Sequence, residues 1–336
     1  MYKKFYGLNR DPFEISPDPH FFVPTQRYNE ALANLFYGVK LQKGLVVMTG
    51  EVGTGKTLLI RCLLELLRRQ PHIAIAYVFN TVLTPVQFLQ FVIGDFGVSP
   101  PANKSQLLLE LNRFLIARHQ RGLISALVVD EAQLLSWNLL EEIRLLTNLE
   151  TAQKKLLQII LVGQPELESK LDSQELRQLK QRVGLRCRLE PLTFEEIRTY
   201  VTRRLQLAGA STEEQFLFPE ATIASIYHYS RGIPRLINTI CGNALITAFA
   251  RQLNCVPPQV VAEVAADFRL NNLSVDSPTP GNGHNHPTET SAAGNGHNPD
   301  LQVFLRHFNR LIDLLERAQG DAPMTSEPVS TRSQTA

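Results

Sequence analysis

The residues best suited to chemistry in this chain form a glycine-rich segment, MTGEVGTGKT, at residues 48–57. Its spacing matches G-x-x-x-x-G-K-[ST], in which glycines let the backbone turn tightly and direct N–H groups at phosphate oxygens. We expect Lys56 to reach the β- and γ-phosphates of a nucleotide and the hydroxyl of Thr57 to bind Mg²⁺. The predicted phosphate-binding residues are Gly50, Glu51, Val52, Gly53, Thr54, Gly55, Lys56 and Thr57. An apolar run precedes the segment and an amphipathic run follows it, which disfavours a purely structural glycine-rich turn.

A second chemical element is the carboxylate pair Asp130 and Glu131, at the end of the apolar run in ALVVDEAQ. Asp130 is suited to hold Mg²⁺ through water, and Glu131 is suited to polarise an attacking water. An ordinary acidic pair at a strand end is the alternative, but the phosphate loop about 75 residues upstream disfavours it. Glu131 therefore predicts hydrolysis as well as binding.

Two further polar residues are candidates for the same site. Gln164 ends the apolar run in IILVGQPEL, where its amide would lie between the acidic strand ends and the γ-phosphate. Without the other motifs it would be read as a surface glutamine. Arg182, in LKQRVG, is predicted to reach the phosphates of a neighbouring subunit. Other arginines compete for this role, namely Arg177, Arg186 and Arg188.

A fifth candidate, Arg235, follows Pro234 at the start of a predicted helix in RGIPRLIN. We expect it to contact the nucleotide from a helical lid. The alternative is a solvent-exposed arginine.

The elements that must position these residues alternate between strands and helices. Short apolar runs occur in LVVMTG, IAIAYVF, ISALVVD and LLQIILVG, and a fifth strand is predicted near LRCRLEPL. Runs that are apolar on both faces are typical of a parallel sheet covered by helices. We interpret residues 26–190 as one α/β domain that opens with a helix from about Gln26 to Leu41.

The flanking segments differ in composition. Residues 1–25 combine aromatics and prolines and are predicted to be an ordered, extended arm. Residues 191–270 are predicted to form an all-helical lid, which begins with a capping box between Thr193 and Glu196.

The carboxyl-terminal part is predicted to have three pieces. Residues 271–300 are a flexible Asn/Gly/Pro-rich linker, and their histidines lack the acidic or thiol partners typical of a metal site. Residues 301–319 form an amphipathic helix with an a/d seam, which either binds a partner or docks back on the chain. Residues 320–336 form a disordered tail.

The overall composition is that of a soluble protein. The formal net charge is +2, so it does not require a nucleic-acid or membrane partner. The scattered cysteines, Cys62, Cys187, Cys241 and Cys255, favour neither disulfides nor zinc. No signal peptide and no transmembrane span are expected. We therefore expect a cytoplasmic protein, with attachment to the inner membrane through a partner as an alternative.

Together these motifs resemble the AAA+ ATPases. The segments FYGLNRDPFEISPDPHFF, GLVVMTGEVGTGKT, VVDEAQ and VGQPEL are more narrowly similar to the ExeA or general secretion pathway protein A group, to which the TniB and TnsC transposition ATPases are related. The resemblance covers residues 1 to about 270. Tyr28 is a departure, because many relatives carry histidine there. The chain also lacks the membrane span and periplasmic region of full secretion-type members, so we expect no direct role at the cell wall.

The resemblance implies a fold and a set of roles. It implies a five-stranded parallel sheet in the order 5-1-4-3-2 with a carboxyl-terminal helical lid, and an arm near residues 12–30 beside the adenine. The motifs correspond to Walker A and Walker B, Gln164 to sensor 1, Arg182 to the arginine finger and Arg235 to sensor 2. It further implies ATP and Mg²⁺ as cofactors, and a homo-oligomeric ring or filament, with a hexamer expected.

Three functions follow as hypotheses. The first is an oligomeric ATPase that serves envelope secretion, pilus or polysaccharide export through a protein partner. The second is an ATP-dependent DNA-binding regulator of transposition, which the near-neutral charge disfavours. The third, a nucleotide-gated scaffold without turnover, is disfavoured by Glu131.

Overall fold

The computed structural model describes residues 1–211 and 217–270, which lie within one compact unit. The predictions for residues 271–300, 301–319 and 320–336 lie outside the described residues. No helix in the described part is long and apolar enough to cross a membrane.

A parallel sheet forms the centre of the described part of the chain. Its strands are β1 (Leu45–Gly50), β2 (Ile73–Val78), β3 (Ile124–Val129), β4 (Leu157–Gly163) and β5 (Val183–Leu189). They lie in the order β2-β3-β4-β1-β5, which confirms the predicted order read from the other edge. At the middle of β1, Val47 is aligned with Leu161 of β4 and with Arg186 of β5.

The strands in the middle of the sheet are the apolar runs that are buried along their whole length. Every residue of β1, β3 and β4 is buried, as continuous apolar runs in a covered parallel sheet require. The edge strand β5 is only partly buried, with Arg186 and Arg188 exposed and Cys187 and Leu189 buried between and beyond them. This alternation places the two arginines on one face of the strand.

The described part of the chain contains twelve α-helices. They are α1 (Tyr2–Phe5), α2 (Gln26–Lys40), α3 (Lys56–Arg68), α4 (Pro85–Asp95), α5 (Lys104–Gln120), α6 (Trp137–Leu146), α7 (Glu166–Leu171), α8 (Arg177–Lys180), α9 (Phe194–Leu207), α10 (Glu220–Ser230), α11 (Pro234–Ala250) and α12 (Pro258–Asp267). Short 3-10 turns occupy Pro19–Phe21 and Ala132–Leu134.

The two faces of the sheet bury different helices. Leu45 and Val47 of β1 belong to a core shared with α4, α5 and α6. Val46, which points the other way, approaches Gly38 of α2 so closely that an added Cβ would lie 2.7 Å from its Cγ2. Both faces are therefore covered, and the polar residues that follow the strands gather at the carboxyl edge of the sheet.

Helices α9 to α12 form the helical region at residues 191–270. Helix α9 begins with the predicted capping box, in which Thr193 and Glu196 each bond the other's backbone N–H. Helices α10, α11 and α12 pack against one another. The boundaries drawn between arm, α/β domain and helical lid remain predictions.

The amino-terminal arm, residues 1–25, is less extended than predicted. It contains α1 and a 3-10 turn, and Asp18 caps that turn by accepting from the N–H of His20. Its aromatic residues are used in packing, since Phe13 and Phe21 are buried.

Candidate nucleotide-binding site

The phosphate-binding segment is a loop that joins β1 to α3. Gly53 and Gly55 have φ values of 81° and 93°, in the left-handed region that side chains disfavour. Gly55 is the residue immediately before α3, so the loop ends at the positive amino end of that helix. The glycines are therefore required by the backbone conformation.

Lys56, the first residue of α3, folds back into this loop. Its Nζ donates to the carbonyl oxygens of Gly50 at 2.8 Å and Glu51 at 2.9 Å. Burial lowers the pKa of Lys56, and the nearby carboxylates of Glu131 and Asp130 act in the opposite direction. The ammonium is thus enclosed by the loop that would surround the phosphates.

Asp130 lies directly beside the loop, at the end of β3. Its Oδ2 accepts hydrogen bonds from the hydroxyls of Thr57 and Tyr77, both at 3.3 Å, and its Oδ1 accepts from the Glu131 N–H at 2.9 Å. Burial raises the pKa of the Asp130 carboxyl, and Glu131 raises it further, against these hydrogen bonds. Burial and Asp130 also raise the pKa of Tyr77 to about 12. Tyr77 was missed in the sequence because nothing in its strand distinguishes it.

These oxygens fit Mg²⁺. The ion is bound by hydroxyl, carboxylate, water and phosphate oxygens, and one or two protein carboxylates suffice when a nucleotide supplies the rest. Thr57 and Asp130 offer such a pair 3.3 Å apart. The described residues contain no group of three His, Cys, Asp or Glu able to hold a metal by themselves, so phosphate oxygens would have to complete the site.

Glu131 is held by two glutamines. Its Oε2 accepts from Nε2 of Gln133 at 2.6 Å and from Nε2 of Gln164 at 3.5 Å. The other end of the Gln133 amide accepts from the backbone N–H of Gln164 at 3.1 Å, and Gln133 is buried. Glu131 itself has a left-handed backbone, with φ 51° and ψ 37°, which is unusual for a residue other than glycine.

Gln133 is therefore a site residue that sequence reasoning missed. It is the last residue of VVDEAQ, and it links Glu131 to Gln164, which lie 33 residues apart in sequence. Lys170 of α7 fixes the same turn by donating to the carbonyls of Gln133 and Leu135.

Most predicted residues line one cavity of about 470 Å³. Its lining includes Val52, Gly53, Gly55, Lys56, Thr57, Glu131, Gln164 and Arg235, together with Ile15, Ser16, Pro17, Asp18, Phe22, Val23, Tyr28, Leu58, Tyr200, Arg204, Pro234 and Asn238. The arm, the sheet edge and the helical region thus all contribute to the wall. A volume of this size suits a small-molecule ligand.

Arg235 brings the helical region to the phosphate loop. Its backbone N–H donates to the Gly53 carbonyl at 3.2 Å, and a Cβ added to Gly53 would lie 2.9 Å from the Cβ of Arg235. Its side chain lines the cavity. The residue is therefore placed where a contact to the nucleotide is predicted.

Tyr28 of α2 supports the loop from behind. Its hydroxyl donates to the Thr54 carbonyl at 2.5 Å, and its ring meets Phe22 of the arm edge-on at 5.8 Å between centroids. Burial raises its pKa well above the usual range, so the hydroxyl stays protonated. The residue that departs from the resembled family therefore acts here as a hydrogen-bond donor to the loop.

The competing arginines lie away from the cavity. Arg182 donates to the hydroxyl of Thr147 at 2.8 Å and to the Arg144 carbonyl at 3.3 Å, and it also bonds Asn148, all at the end of α6. Arg186 pairs with Glu168. Within one chain none of Arg177, Arg182, Arg186 and Arg188 reaches the cavity. A role in a neighbouring subunit's site stays a prediction.

Known proteins resemble this chain in sequence and in fold. Residues 39–171 match the family described as an AAA domain. The chain is 46% identical over 255 residues to General secretion pathway protein A of Aeromonas hydrophila, an alignment that covers 75% of this chain and 45% of that protein. The chain thus spans less than half the length of this relative.

Solved structures resemble the fold. ORC2 of Aeropyrum pernix, in ADPNP–ADP complexes, matches with 16% identity and a TM-score of 0.56, over 79% of this chain and 75% of that chain. Cdc6p from Pyrobaculum aerophilum matches with 18% identity and a TM-score of 0.56, over 76% and 70%. ORC1 of Aeropyrum pernix in complex with DNA matches with 20% identity and a TM-score of 0.56, over 77% and 69%. At these identities the likeness concerns the fold alone.

Proposed function

Because the chain is an AAA+ protein similar to General secretion pathway protein A, we propose that it binds ATP with Mg²⁺ and hydrolyses it as a homo-oligomer. One observation carries the proposal. The phosphate loop, the Thr57–Asp130 pair and the Glu131–Gln164 pair meet at the carboxyl edge of β1, β3 and β4. These are the parts that phosphoryl transfer to water requires.

Binding begins with the loop and Lys56. On nucleotide entry, the ammonium exchanges the carbonyls of Gly50 and Glu51 for the β- and γ-phosphate oxygens, while loop N–H groups donate to the same phosphates. Arg235 adds a positive charge from the helical region. Mg²⁺, held by Thr57 and Asp130, would neutralise phosphate charge when bound.

Hydrolysis depends on Glu131 and Gln164. A water attacks the γ-phosphorus, its proton passes to the Glu131 carboxylate, and the bond to the β-phosphate oxygen breaks to release ADP and phosphate. The amide of Gln164, 3.5 Å from the Glu131 carboxylate, orients water and γ-phosphate. Arg182 or a competing arginine from a neighbour completes the neutralisation of charge.

The test is Glu131→Gln. The amide cannot accept the proton, so turnover should fall by at least about 10²-fold while ATP affinity stays within a few-fold of wild type. Phosphate release and equilibrium binding of a fluorescent ATP analogue measure the two effects separately. Wild-type-like hydrolysis by the variant would remove Glu131 from the mechanism, and absence of ATP binding by the wild-type protein would refute the proposal as a whole.

For the cellular role, we propose assembly of a secretion, pilus or polysaccharide export system at the inner membrane. The similarity to General secretion pathway protein A supports this choice. The partner would bind the predicted amphipathic helix at residues 301–319. Glu131→Gln should accumulate in the ATP state and capture the partner, and the same variant without residues 301–336 should not.

A DNA-binding regulator is the second candidate, because the sequence motifs also resemble those of the TniB and TnsC transposition ATPases. The net charge of +2 gives little general attraction for phosphates. Steep loss of DNA affinity with rising salt would favour this candidate, and no binding at low salt would exclude it.

A further inference from the structure

Arg204 of α9 is a buried cation that bonds the amino-terminal arm. Its side chain is 3% exposed, and its Nη2 donates to the Glu14 carbonyl at 3.1 Å and its Nη1 to the Phe21 carbonyl at 3.5 Å. The Nε donates to the Pro12 carbonyl. One side chain therefore bonds three backbone carbonyls of an arm more than 180 residues away in sequence.

Aromatic rings take the place of a counter-ion. The guanidinium carbon lies 4.7 Å from the centroid of Phe21 and 5.6 Å from that of Tyr200. Among the ion pairs of the described residues, none includes Arg204. A buried charge without a carboxylate is expensive and needs its hydrogen bonds, so these carbonyls are tightly held.

The bonded carbonyls bracket the part of the arm that lines the cavity. Residues 15–18 lie between Glu14 and Phe21, and they form the cavity wall with Phe22 and Val23. On the other side, Arg61 of α3 donates to the Pro17 carbonyl at 2.6 Å. The arm is thus hydrogen-bonded to α9 on one side and to α3 on the other. Arg204 itself also lines the cavity.

The cavity has two ends with different supports. The phosphate end is built from the loop between β1 and α3, which Tyr28 and Lys56 stabilise without Arg204. The remainder of the lining comes from the arm and from Tyr200, Arg204 and Asn238 of the helical region. A nucleotide bound with its phosphates in the loop would place its base against this remaining part of the wall.

We propose that Arg204 is a positioning residue that fixes the arm against α9 and so forms the base-binding end of the nucleotide site. The inference rests on the proposed function, since it assumes that the loop binds the phosphates of ATP. It predicts that Arg204 contributes to affinity for the base of the nucleotide and does not contribute to affinity for its phosphates. It also makes the arm move with the helical region, because both ends of the bracketed segment are bonded to α9.

The test compares Arg204→Met with Arg198→Met. Methionine keeps much of the side-chain volume and removes the buried charge, so the cost to folding is limited to the hydrogen bonds that the arm carbonyls lose. Arg198 is on the same helix, but it is exposed and pairs with Glu195 one turn earlier, so its variant is the matched control. Arg204→Lys, which keeps a charge and a donor but not the planar fork, is the second variant in case Arg204→Met does not fold.

Two readouts separate positioning from general damage. Affinity is measured for ATP and for inorganic triphosphate, each with Mg²⁺, by displacement of a fluorescent nucleotide. Hydrogen exchange of residues 11–25 is measured by mass spectrometry without ligand. In Arg204→Met we expect ATP affinity to fall by about 10- to 100-fold, triphosphate affinity to stay within about twofold, and the arm to exchange faster. The ATP affinity and arm exchange of Arg204→Lys should lie between those of Arg204→Met and wild type. Arg198→Met should match wild type in both measurements.

The outcomes are distinguishable. Unchanged ATP affinity in a folded Arg204→Met, or equal loss of ATP and triphosphate affinity, would overturn the inference while leaving the proposed ATPase intact. Unchanged exchange of the arm would show that Arg204 does not hold it and would overturn the inference as well. Failure of the wild-type protein to bind ATP would refute the proposed function, and the inference with it.

Discussion

At the scale of single residues, Gln133 decides how Glu131 is presented to water. The 2.6 Å bond from its amide to the Glu131 carboxylate is backed by a 3.1 Å bond from the Gln164 N–H to the other end of the same amide. Glu131 has a left-handed backbone and lies beyond the end of β3, so no strand holds it in place. Its side chain is oriented by these hydrogen bonds instead. Gln133 is thus positioned to orient the predicted base.

We predict that Gln133→Leu lowers kcat by about tenfold or more, because a hydrogen bond to a charged group is lost and the carboxylate can rotate away from the water. ATP affinity should change less than twofold, since Gln133 does not line the cavity. Steady-state hydrolysis and nucleotide binding measure the two. Gln120→Leu, at an exposed glutamine at the end of α5, is the control. Equal kcat for the two variants would show that Gln133 has no role beyond packing.

Asp130 illustrates how a site residue can oppose folding. Burial raises the pKa of its carboxyl above the ordinary value of 3.8, so the charged form is less stable in the folded protein than in the unfolded chain. For such a group, stability is full below the unfolded pKa and is lost as pH rises through the folded pKa. At neutral pH, the protein without Mg²⁺ therefore carries this penalty.

We predict that Asp130→Asn raises the Tm at pH 7.5 in the absence of Mg²⁺ and nucleotide, and abolishes Mg²⁺-dependent hydrolysis. The asparagine Oδ1 can still accept from the Glu131 N–H, and the hydroxyls of Thr57 and Tyr77 can rotate to accept from its amide. Calorimetry across pH checks the sign, because the Tm difference should shrink as pH falls below the folded pKa. A lower Tm for the variant at pH 7.5 would contradict the account.

At the scale of elements, the phosphate loop is supported by α2 as well as by its own glycines. The Tyr28 hydroxyl reaches the Thr54 carbonyl at 2.5 Å, and it lies 3.0 Å from where a Cβ on Gly55 would be. Helix α2 begins at Gln26 with Thr25 as its cap, which fixes Tyr28 in the first turn. Loop conformation is therefore coupled to the helix that follows the arm.

We predict that Tyr28→Phe weakens ATP binding by about 2- to 10-fold, because the buried Thr54 carbonyl loses its donor and the loop becomes less preorganised. The Tm should fall by only a few degrees, since the ring is retained. Tyr227→Phe is the control, because that tyrosine is exposed, its ring contacts Phe194, and its hydroxyl has no hydrogen-bond partner among the described residues. Titration calorimetry with ATP and Mg²⁺ measures the difference. Equal affinities for the two variants would mean that the loop is rigid without Tyr28.

The elements also mark how far the sequence could be used for prediction. Strands β1, β3 and β4 were predictable because each is an uninterrupted apolar run, and the run is buried on both faces. The arm was only partly predictable, since its aromatics indicated order but its helix of four residues and its 3-10 turn of three residues are too short to give a periodic pattern. Helix α9 was located by its capping box, which is a local signal.

Contacts between distant segments were not predictable. Nothing near Arg204 in sequence indicates that its donors meet carbonyls of the arm 183 to 192 residues away. Tyr77 and Gln133 likewise acquire their roles from strands that come together only in the fold. The motifs therefore predicted the residues expected to bind the phosphates and to activate the water. The fold was needed to find the residues that position those side chains.

At the scale of the whole molecule, the arginine that completes the site is still to be assigned. Arg182 is half-buried at the junction of α8 and β5, where it bonds Thr147 and the Arg144 carbonyl. These contacts hold the Arg182 side chain in one orientation, which a residue that reaches into a neighbouring subunit's site would need. Arg186 is engaged with Glu168, whereas Arg177 and Arg188 are exposed. Arg182 therefore remains the first candidate for a site shared between subunits.

If Arg182 acts on a neighbour, no single subunit contains a complete site, and specific activity should rise with protein concentration as subunits assemble. Arg182→Ala should bind ATP nearly normally and lose about 10³-fold or more in hydrolysis. Mixing it with Glu131→Gln is the sharper measurement. An intact Glu131 then meets an intact Arg182 at about a quarter of randomly formed interfaces, so activity should return although each variant is inactive alone. Arg113→Ala, mixed in the same way, controls for loss of an exposed arginine, since Arg113 pairs with Glu110 on the surface of α5. Mixtures that stay inactive while light scattering shows normal assembly would mean that Arg182 serves only its own chain, and Arg177 or Arg186 would become the better candidate.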